Sequence, residues 1–239
     1  MRRIALLSSI VAAAGLAACT DAGRSFVILQ NQVPTAECTV SDTGSLFRPV
    51  GTLDVNSPSG YLFFPLVQNV TERVGGDPSA RLLSVQGADV ELVFQQGVFP
   101  DALPADIAAN SKLTHAFSGS IAAGDITAFA FEVVASNMIT AINDNVSLEP
   151  DGSQTFTLTA KVTVFGEMDG RTVDSEEFEY PITVCDGCLK FNIGACEGLD
   201  PAFPIAPGFP CVNHYQDEVV HCCTTSGGIE LCPAVALSE

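Results

Sequence analysis

Nine cysteines are the residues of this chain best suited to chemistry, and seven of them fall in its last quarter. The seven are Cys185, Cys188, Cys196, Cys211, Cys222, Cys223 and Cys232. Cysteines at this density form disulfides, bind a metal as thiolates, or exchange disulfides with other proteins. The compartment in which the chain folds decides between these chemistries, because disulfides persist only where the surroundings are oxidising.

The N-terminus indicates export. Arg2 and Arg3 precede an apolar run, residues 4 to 18, that ends in small residues, as a secretory signal peptide does. The run closes as Leu-Ala-Ala-Cys, residues 16 to 19, and this sequence resembles the lipobox of bacterial lipoproteins at all four positions. The resemblance implies that the thiol of Cys19 receives a diacylglyceryl group, that the signal is cut before Cys19, and that the new amino terminus is acylated. More than one acyl chain is enough for stable anchoring in a membrane.

The residue after Cys19 favours the outer membrane. In lipoproteins of this kind an aspartate at that place is the typical signal for retention in the inner membrane, whereas here the residue is Thr20 and Asp21 follows one place later. Beyond the leader there is no second apolar stretch long enough to cross a bilayer. The chain from Thr20 onward is therefore expected to be an aqueous domain on a lipid tether.

Without the lipidated Cys19, eight cysteines remain, an even number compatible with four disulfides. Seven of them lie in the tail, so full pairing requires Cys38 to bond to a tail cysteine and to join the two parts of the chain covalently. The tail partner stays open, because eight cysteines allow 105 connectivities. Adjacent Cys222 and Cys223 are expected to take different partners, since a bridge between neighbours is strained.

Zinc binding is the alternative for the tail. Cys185 and Cys188 have the spacing of half a tetrahedral site, and the other half could come from five nearby side chains: Cys211, His214, His221, Cys222 and Cys223. The second half lacks a matching C-x-x-C, and an exported chain meets oxidants that convert such thiols to disulfides. A thioredoxin-like role for Cys185 and Cys188 is weaker still, because their motif follows a strand and not the start of a helix.

No other constellation indicates an enzyme, and we predict neither catalytic activity nor a cofactor. The chain has three histidines, His115, His214 and His221, and no nucleophile elbow, zinc-protease helix or nucleotide-binding glycine loop. Calcium on the acidic loop residues Asp144, Asp151 and Asp169 is a further alternative, although no EF-hand loop is present. The clustered acids near residue 177 occupy the polar face of a predicted strand and are expected to be solvated.

The charge of the chain bears on its partners. Removal of the leader leaves 8 Lys and Arg against 28 Asp and Glu, so the mature chain carries 8 − 28 = −20. This charge repels nucleic acid and anionic head groups. Charged residues are nevertheless only 16% of the chain and hydrophobic residues 47%, which is ample for a core and argues against disorder.

Between residues 26 and 184 the chain reads as a series of β-strands separated by turns. Seven segments carry this pattern: SFVILQNQV, TLDV, GYLFFPLVQNV, ADVELVFQQG, DITAFAFEVV, SQTFTLTAKVTVFG and SEEFEYPITV. Turn sequences such as NSPSG, GGDPS and EPDGS fall between them. Helical turns are expected only near LPADIAANSK and ASNMITAIND, as connections between strands.

The strongest pattern is a long hairpin. Apolar residues alternate with threonine and lysine from Phe156 to Val164, and a second strand from Phe178 to Val184 repeats the alternation. Asp169 and Gly170 supply the reversal, and Lys161 is expected to face a row of glutamates. Two sheets with one apolar face each must cover one another, so the prediction is an all-β fold, an immunoglobulin-like or related β-sandwich of seven or eight strands.

The domain organisation follows from these elements. It comprises a signal peptide (1–18), the lipidated cysteine with a short linker (19–25), the sandwich (26–184) and a small disulfide-rich C-terminal extension (185–239). The stretch from Tyr61 to Val184 resembles the β-sandwich of late-embryogenesis-abundant and water-stress domains, which supports the sandwich.

The whole layout resembles lipoproteins predicted in myxobacteria and related bacteria. It shares with them the lipobox, the PLVQN strand from Pro65 to Asn69, the EFEYPITVCDGCL strand entering the tail, and the CVNHYQDEVVHCC element. That group has no assigned activity, so the resemblance implies location and architecture only.

These observations together predict a lipid-anchored protein of the bacterial outer membrane with a structural or protein-interaction role. The membrane, through Cys19, and an envelope protein are its expected partners, and nucleic acid is not. The alternative is a module that binds a metal or small ligand, with calcium on the sandwich loops or zinc on the tail.

Overall fold

Alternation of apolar and polar side chains produces the main strands of the computed structural model of the chain. The structure describes residues 25–44, 46–73, 75, 77, 80–197, 205–208 and 210–232. The lipobox and Cys19 lie outside this part of the chain. Within it no helix has the length and apolar character needed to cross a membrane.

The described residues form fourteen strands and two short helices, which confirms the predicted all-β class. In chain order they are β1 (Phe26–Asn31), β2 (Gly51–Asp54), β3 (Tyr61–Phe63), β4 (Pro65–Asn69), β5 (Leu83–Phe94), α1 (Ala105–Asn110), β6 (Lys112–Ile121), β7 (Ile126–Ala128), β8 (Phe131–Val134), α2 (Ser136–Asn145), β9 (Thr155–Met168), β10 (Arg171–Asp174), β11 (Phe178–Cys185), β12 (Lys190–Ala195), β13 (Val220–Thr224) and β14 (Glu230–Leu231).

Two β layers enclose one core. The large sheet has the strand order β2-β11-β9-β5-β6, with β10 pairing the far half of β9. Its pairs are antiparallel except β2 with β11, which run parallel. The second layer consists of the sheet β1-β4-β7 and the pair β3-β8. Side chains of both layers and of the two helices share a single cluster of buried apolar residues.

The hairpin predicted from the alternation is present. Phe156, Leu158, Ala160, Val162 and Val164 are all buried on one face of β9. On the opposite face the ammonium group of Lys161 lies 2.8 Å from a carboxylate oxygen of Glu177 and 3.3 Å from one of Glu179. The row of glutamates expected around this lysine is therefore confirmed.

The reversal of this hairpin uses two residues with positive φ, Asp169 at 52° and Gly170 at 71°. Two-residue hairpin turns of this kind favour an Asp-Gly sequence. We expect Gly170→Ala to lower the free energy of unfolding by about 1 kcal/mol, because a Cβ is disfavoured in the left-handed region, while the position itself has no neighbouring atom within 4 Å. Denaturant unfolding measures this loss. The control is Gly227→Ala, a glycine without a positive φ, and an equal loss there would contradict the backbone explanation.

Strand β6 differs from the expectation, since no predicted strand covers residues 112 to 121. Its inward positions include His115 and Gly119 beside Leu113 and Phe117, and each is only half-buried. An edge strand needs apolar contact on one face alone, so its apolar signal is diluted. Strand β5 also begins at Leu83, five residues before the predicted segment.

The cysteine-rich tail forms its own small sheet, β12-β13-β14, which the sequence did not reveal. Its buried cluster is limited to Leu189, Tyr215, Val220 and Cys222. A cluster of this size agrees with the expectation that disulfides replace burial in this part of the chain.

The chain enters the body at the end opposite to the tail. The carbonyl of Ser25 accepts a hydrogen bond from the amide of Val70, and the adjoining Phe26 lies beside Asn69. The side chain of Asn69 in turn bonds the carbonyl of Ile121, at the Met168 end of β9. The tail leaves from Cys185, which pairs with Thr155 at the other end of β9.

Candidate functional site

The eight cysteines of the described residues form four disulfides, and the predicted presence of disulfides is confirmed. The pairs are Cys38–Cys211, Cys185–Cys188, Cys196–Cys223 and Cys222–Cys232. The first of them joins the body to the tail, as the even cysteine count required. Neighbouring Cys222 and Cys223 take different partners, also as expected.

The four bridges differ in how much of the chain they close. Cys38–Cys211 spans a sequence separation of 173 residues, whereas Cys185–Cys188 spans 3. In the chain-entropy description the long bridge contributes about 5 kcal/mol to stability and the short one about 2 kcal/mol. The clamp between body and tail is therefore the largest single contribution among the four bridges.

The zinc alternative relied on thiolates that are engaged in disulfides. Asp54, Cys185 and Cys188 offer ligand atoms within 4.8 Å of one another, and so do Cys222, Glu230 and Cys232. In each group the two sulfur atoms are bonded to each other. Zinc binding would first require reduction of these bonds, because the thiolate is the ligand.

The loop acids suggested for calcium are not brought together. Asp151 and Asp169 lie beyond opposite ends of β9, and Asp144 belongs to α2. Within the described ranges, none of the three joins a group of three metal-ligating side chains.

A buried carboxylate, Asp217, is the centre of the most elaborate polar cluster in the described structure. One of its oxygens accepts hydrogen bonds from the amide of Thr52 at 2.7 Å and lies 3.3 Å from the guanidinium of Arg48. The other accepts from the hydroxyl of Tyr61 at 2.8 Å and from the side-chain amide of Gln216 at 3.3 Å. The side chain of Asp217 is 4% exposed, so these four donors replace the water that it loses on folding.

Two tyrosines extend this cluster into the core. The hydroxyls of Tyr61 and Tyr180 lie 2.9 Å apart. Because Tyr61 donates its proton to Asp217, Tyr180 is the donor of this second bond. Burial, with the charge of Asp217 as a further cause, raises the pKa of Tyr61 well above its usual value, and burial raises the pKa of Tyr180 to about 12. Both hydroxyls thus stay protonated at neutral pH and act as fixed donors.

Burial also raises the pKa of Asp217 above its usual value, although the charge of Arg48 and the three hydrogen-bond donors Thr52, Tyr61 and Gln216 oppose this effect. Arg48 itself is held by the tail. Its guanidinium donates to the backbone carbonyl of Asp217 at 3.1 Å and to the carboxylate of Glu218 at 3.1 Å. The cluster therefore connects the strands of the body to the chain between Cys211 and Cys222.

Residues 213–218, which we name the wedge segment, lie between β2 and β3. The side-chain amide of Gln216 accepts from the amide of Leu62 at 2.9 Å and donates to its carbonyl at 2.7 Å. It thus reproduces the hydrogen bonding of a neighbouring strand. The backbone of the segment bonds β2, since Asp217 donates to Thr52 and Tyr215 accepts from Asp54.

Backbone conformation in the wedge segment is held by these contacts. Tyr215 and Asp217 have φ values of 65° and 64°, in the left-handed region. Such a conformation costs a non-glycine residue roughly 1–2 kcal/mol. It persists here because the two side chains are fixed by the tail core and by the polar cluster. The wedge segment is therefore held in place from both sides.

Beside Asp217 lies a small cleft. It is lined by Gln32, Arg48, Leu62 and six other residues besides Asp217, and its volume of about 10 Å³ has room for about one water molecule. Gln32 is 2% exposed, and neither polar atom of its side-chain amide has a hydrogen-bond partner among the described residues. The cleft is too small for an organic substrate.

The three histidines lie in different parts of the fold. His115 is in β6 against the ring of Phe131, and His221 accepts a hydrogen bond from the amide of Ala206. His214 stacks on Tyr215, and its burial lowers its pKa. His115 and His221 thus each contact a residue of another chain segment, whereas His214 packs on its neighbour in sequence.

Sequence reasoning missed the cluster around Asp217 because its members are dispersed along the chain. Arg48, Tyr61 and Asp217 belong to separate segments, and none of them stands in a motif. One signal was available. Tyr61 and Tyr180 occupy inward positions of strands, and a buried tyrosine hydroxyl usually requires a partner.

Comparison of the chain with protein-family models, with curated proteins and with solved structures gave no match.

Proposed function

We propose that the protein is a lipid-anchored envelope protein with a structural or protein-interaction role and without catalytic activity. The observation that carries this proposal is the clamp between body and tail. The Cys38–Cys211 bridge and the wedge segment fasten the tail to the β layers at two places. Such fastening suits a module that presents a fixed surface.

The disulfides support an exported location. Four bridges within one chain are typical of proteins that fold in an oxidising compartment. This agrees with a signal peptide ending at the lipobox. The expected anchor, Cys19, precedes Ser25 by six residues, a linker that reaches at most about 20 Å.

In the described residues the tail lies far from the point where the chain enters the body. Chain entry at Ser25 and tail exit at Cys185 lie at opposite ends of β9, a strand of 14 residues. At ~3.3 Å per residue this distance is about 40 Å. A tail at that distance from the point of chain entry would be accessible to other envelope proteins.

Metabolic labelling with palmitate tests the anchor. In a bacterial host with two membranes, we expect the full-length chain to incorporate the label and to sediment with the outer membrane. Cys19→Ser should abolish labelling, because the thiol that accepts the lipid is lost. Incorporation of label by Cys19→Ser, or none by the wild-type chain, would contradict the proposal.

A second substitution tests whether the residue after Cys19 directs the protein to the outer membrane. Thr20→Asp introduces the aspartate that is typical of inner-membrane retention and should move the labelled protein to the inner membrane. The matched control Thr20→Ser should leave it in the outer membrane. Identical distributions of the two variants would exclude a sorting role for this position.

A further inference from the structure

Strand β6 forms an edge of the large sheet, and β5 is its only strand partner in the part of the chain that the structure describes. Between Lys112 and Gly119, no backbone group on its other side bonds to any described residue outside the sheet. Long free edges are uncommon, because their unpaired amide and carbonyl groups are a template for another strand.

The opposite edge of the same sheet is covered. Strand β2 receives the wedge segment, with backbone hydrogen bonds from Asp217 to Thr52 and from Asp54 to Tyr215. The chain thus protects one edge with its own tail and leaves β6 open.

The register identifies the open backbone groups. The amide of Leu92 donates to the carbonyl of Ser111, so odd-numbered residues at the start of β6 bond β5. Lys112, Thr114 and Ala116 therefore direct their amide and carbonyl groups outward, since the direction alternates along a strand. After Ala116 a β-bulge interrupts the register. The regular open edge is thus centred on Thr114.

The charge pattern of the large sheet would allow a second copy of the chain to bind along β6 without charge repulsion. Glu179, Lys161, Glu91 and Lys112 lie directly opposite one another across four strands, so that a row of alternating sign ends in a cation at β6. Strand β6 contains no carboxylate, although the chain has 28 Asp and Glu. Contact through β6 therefore avoids the repulsion that other acidic surfaces would meet.

We propose that two copies of this chain join their large sheets by antiparallel pairing of β6, about a twofold axis at Thr114. In this register Thr114 of one copy lies opposite Thr114 of the other, and Lys112 lies opposite Ala116. Each of these pairs exchanges two backbone hydrogen bonds. No like charges face each other.

The dimer goes beyond the proposed function and is compatible with it. A twofold axis through a continuous sheet is normal to that sheet, so the second layers of both copies lie on the same side. Strand β1, through which the chain enters from Ser25, belongs to this layer. Both N-termini therefore reach one membrane from the same side.

Disulfide trapping in intact cells tests the pairing in the full-length protein. Residues opposite each other in a hydrogen-bonded antiparallel pair have Cα atoms about 5.5 Å apart, within the range of a disulfide. Thr114→Cys should give a covalent dimer on a non-reducing gel. The control is Thr163→Cys, which lies on the same face two strands away and should remain monomeric. A Thr114→Cys chain that stays monomeric, or forms a bond only to another protein, overturns the proposal.

Substitutions at Ala116 test whether the covalent dimer depends on backbone pairing of the two β6 strands or arises from chance encounters between thiols. Combined with Thr114→Cys, Ala116→Pro should reduce the covalent dimer at least tenfold, because it removes an outward amide that the monomer does not use. Ala116→Ser keeps the amide and should not reduce it. An unchanged dimer yield with proline would overturn the register.

A charge pair gives a readout that does not depend on proline. Ala116→Glu faces Lys112 of the other copy and should tighten the dimer, while Ala116→Lys should weaken it. The two dissociation constants, measured by sedimentation of the protein in detergent, should differ about tenfold. The opposite order would contradict the pairing of these positions. These outcomes are independent of the palmitate test, which reports on Cys19 alone.

Discussion

Replacement of both Cys38 and Cys211 by serine should lower the free energy of unfolding by about 5 kcal/mol. This bridge spans 173 residues, and the stabilisation of a cross-link increases with the length of chain that it closes. Denaturant unfolding of the oxidised protein measures the loss.

The control is the double replacement of Cys196 and Cys223, which spans 27 residues. In the same description this bridge contributes about 1.5 kcal/mol less than the long one. Cys38 is exposed, and Cys196, Cys211 and Cys223 are partly exposed. Burial of the new serine hydroxyls therefore has little effect on the stability of either variant. A larger loss from the control pair would show that loop length does not govern these bridges.

The replacement should also reveal whether the wedge segment alone holds the tail. The hydrogen bond that Gln216 donates to Leu62 and the one that Asp217 accepts from Thr52 remain in the variant. We expect the tail to stay docked under native conditions and to become susceptible to proteolysis at lower denaturant concentrations than the body. Proteolysis of the tail and the body at the same denaturant concentration would contradict this order.

Asp217→Asn should lower the free energy of unfolding by about 3–5 kcal/mol, the usual result of removing one partner from a buried ion pair. The substitution removes the negative charge facing Arg48 and replaces one acceptor by a donor, which opposes the donors from Thr52 or Tyr61. Glu218→Gln is the matched control. Its carboxylate bonds the same guanidinium but is 47% exposed, and exposed pairs contribute at most about 1 kcal/mol. Equal losses from the two variants would contradict the importance of burial.

The pH dependence of the free energy of unfolding, compared between the wild-type protein and Asp217→Asn, provides a second readout. Burial raises the pKa of Asp217 in the folded state above its usual value of 3.8, so the folded state binds the proton more tightly than the unfolded state. This group therefore adds stability as the pH falls through the raised pKa toward 3.8. The advantage of the wild-type protein over Asp217→Asn should grow over that interval. An advantage that shrinks would mean that the charge of Arg48 outweighs desolvation.

The strands that could be predicted from the sequence are those with a strong local period. Phe156 to Val164 alternate without interruption because β9 lies at the centre of the large sheet, with one face on the core. Strand β6 was missed because an edge strand buries less, and His115 and Gly119 replace apolar residues at its inward positions. The local alternation of apolar and polar residues thus indicates how deeply a strand is buried more reliably than whether a strand forms.

In the candidate site, too, some features could be predicted from the sequence and others could not. An even number of cysteines was enough to require a bond from Cys38 to the tail, but the choice of Cys211 depends on where the chain after β1 passes the tail. The bond from Tyr61 to Asp217 joins residues separated by 156 positions. No short-range sequence pattern can specify a contact between residues so far apart in the chain.

By itself, the sequence determined the all-β class, the central hairpin and the need for a covalent link between body and tail, because alternation and cysteine parity are properties of the chain alone. Tertiary structure decided the partner of Cys38, the burial of Asp217 among Arg48 and Tyr61, and the open edge of β6. These features depend on which distant segments become neighbours, and that is set by packing of the whole core.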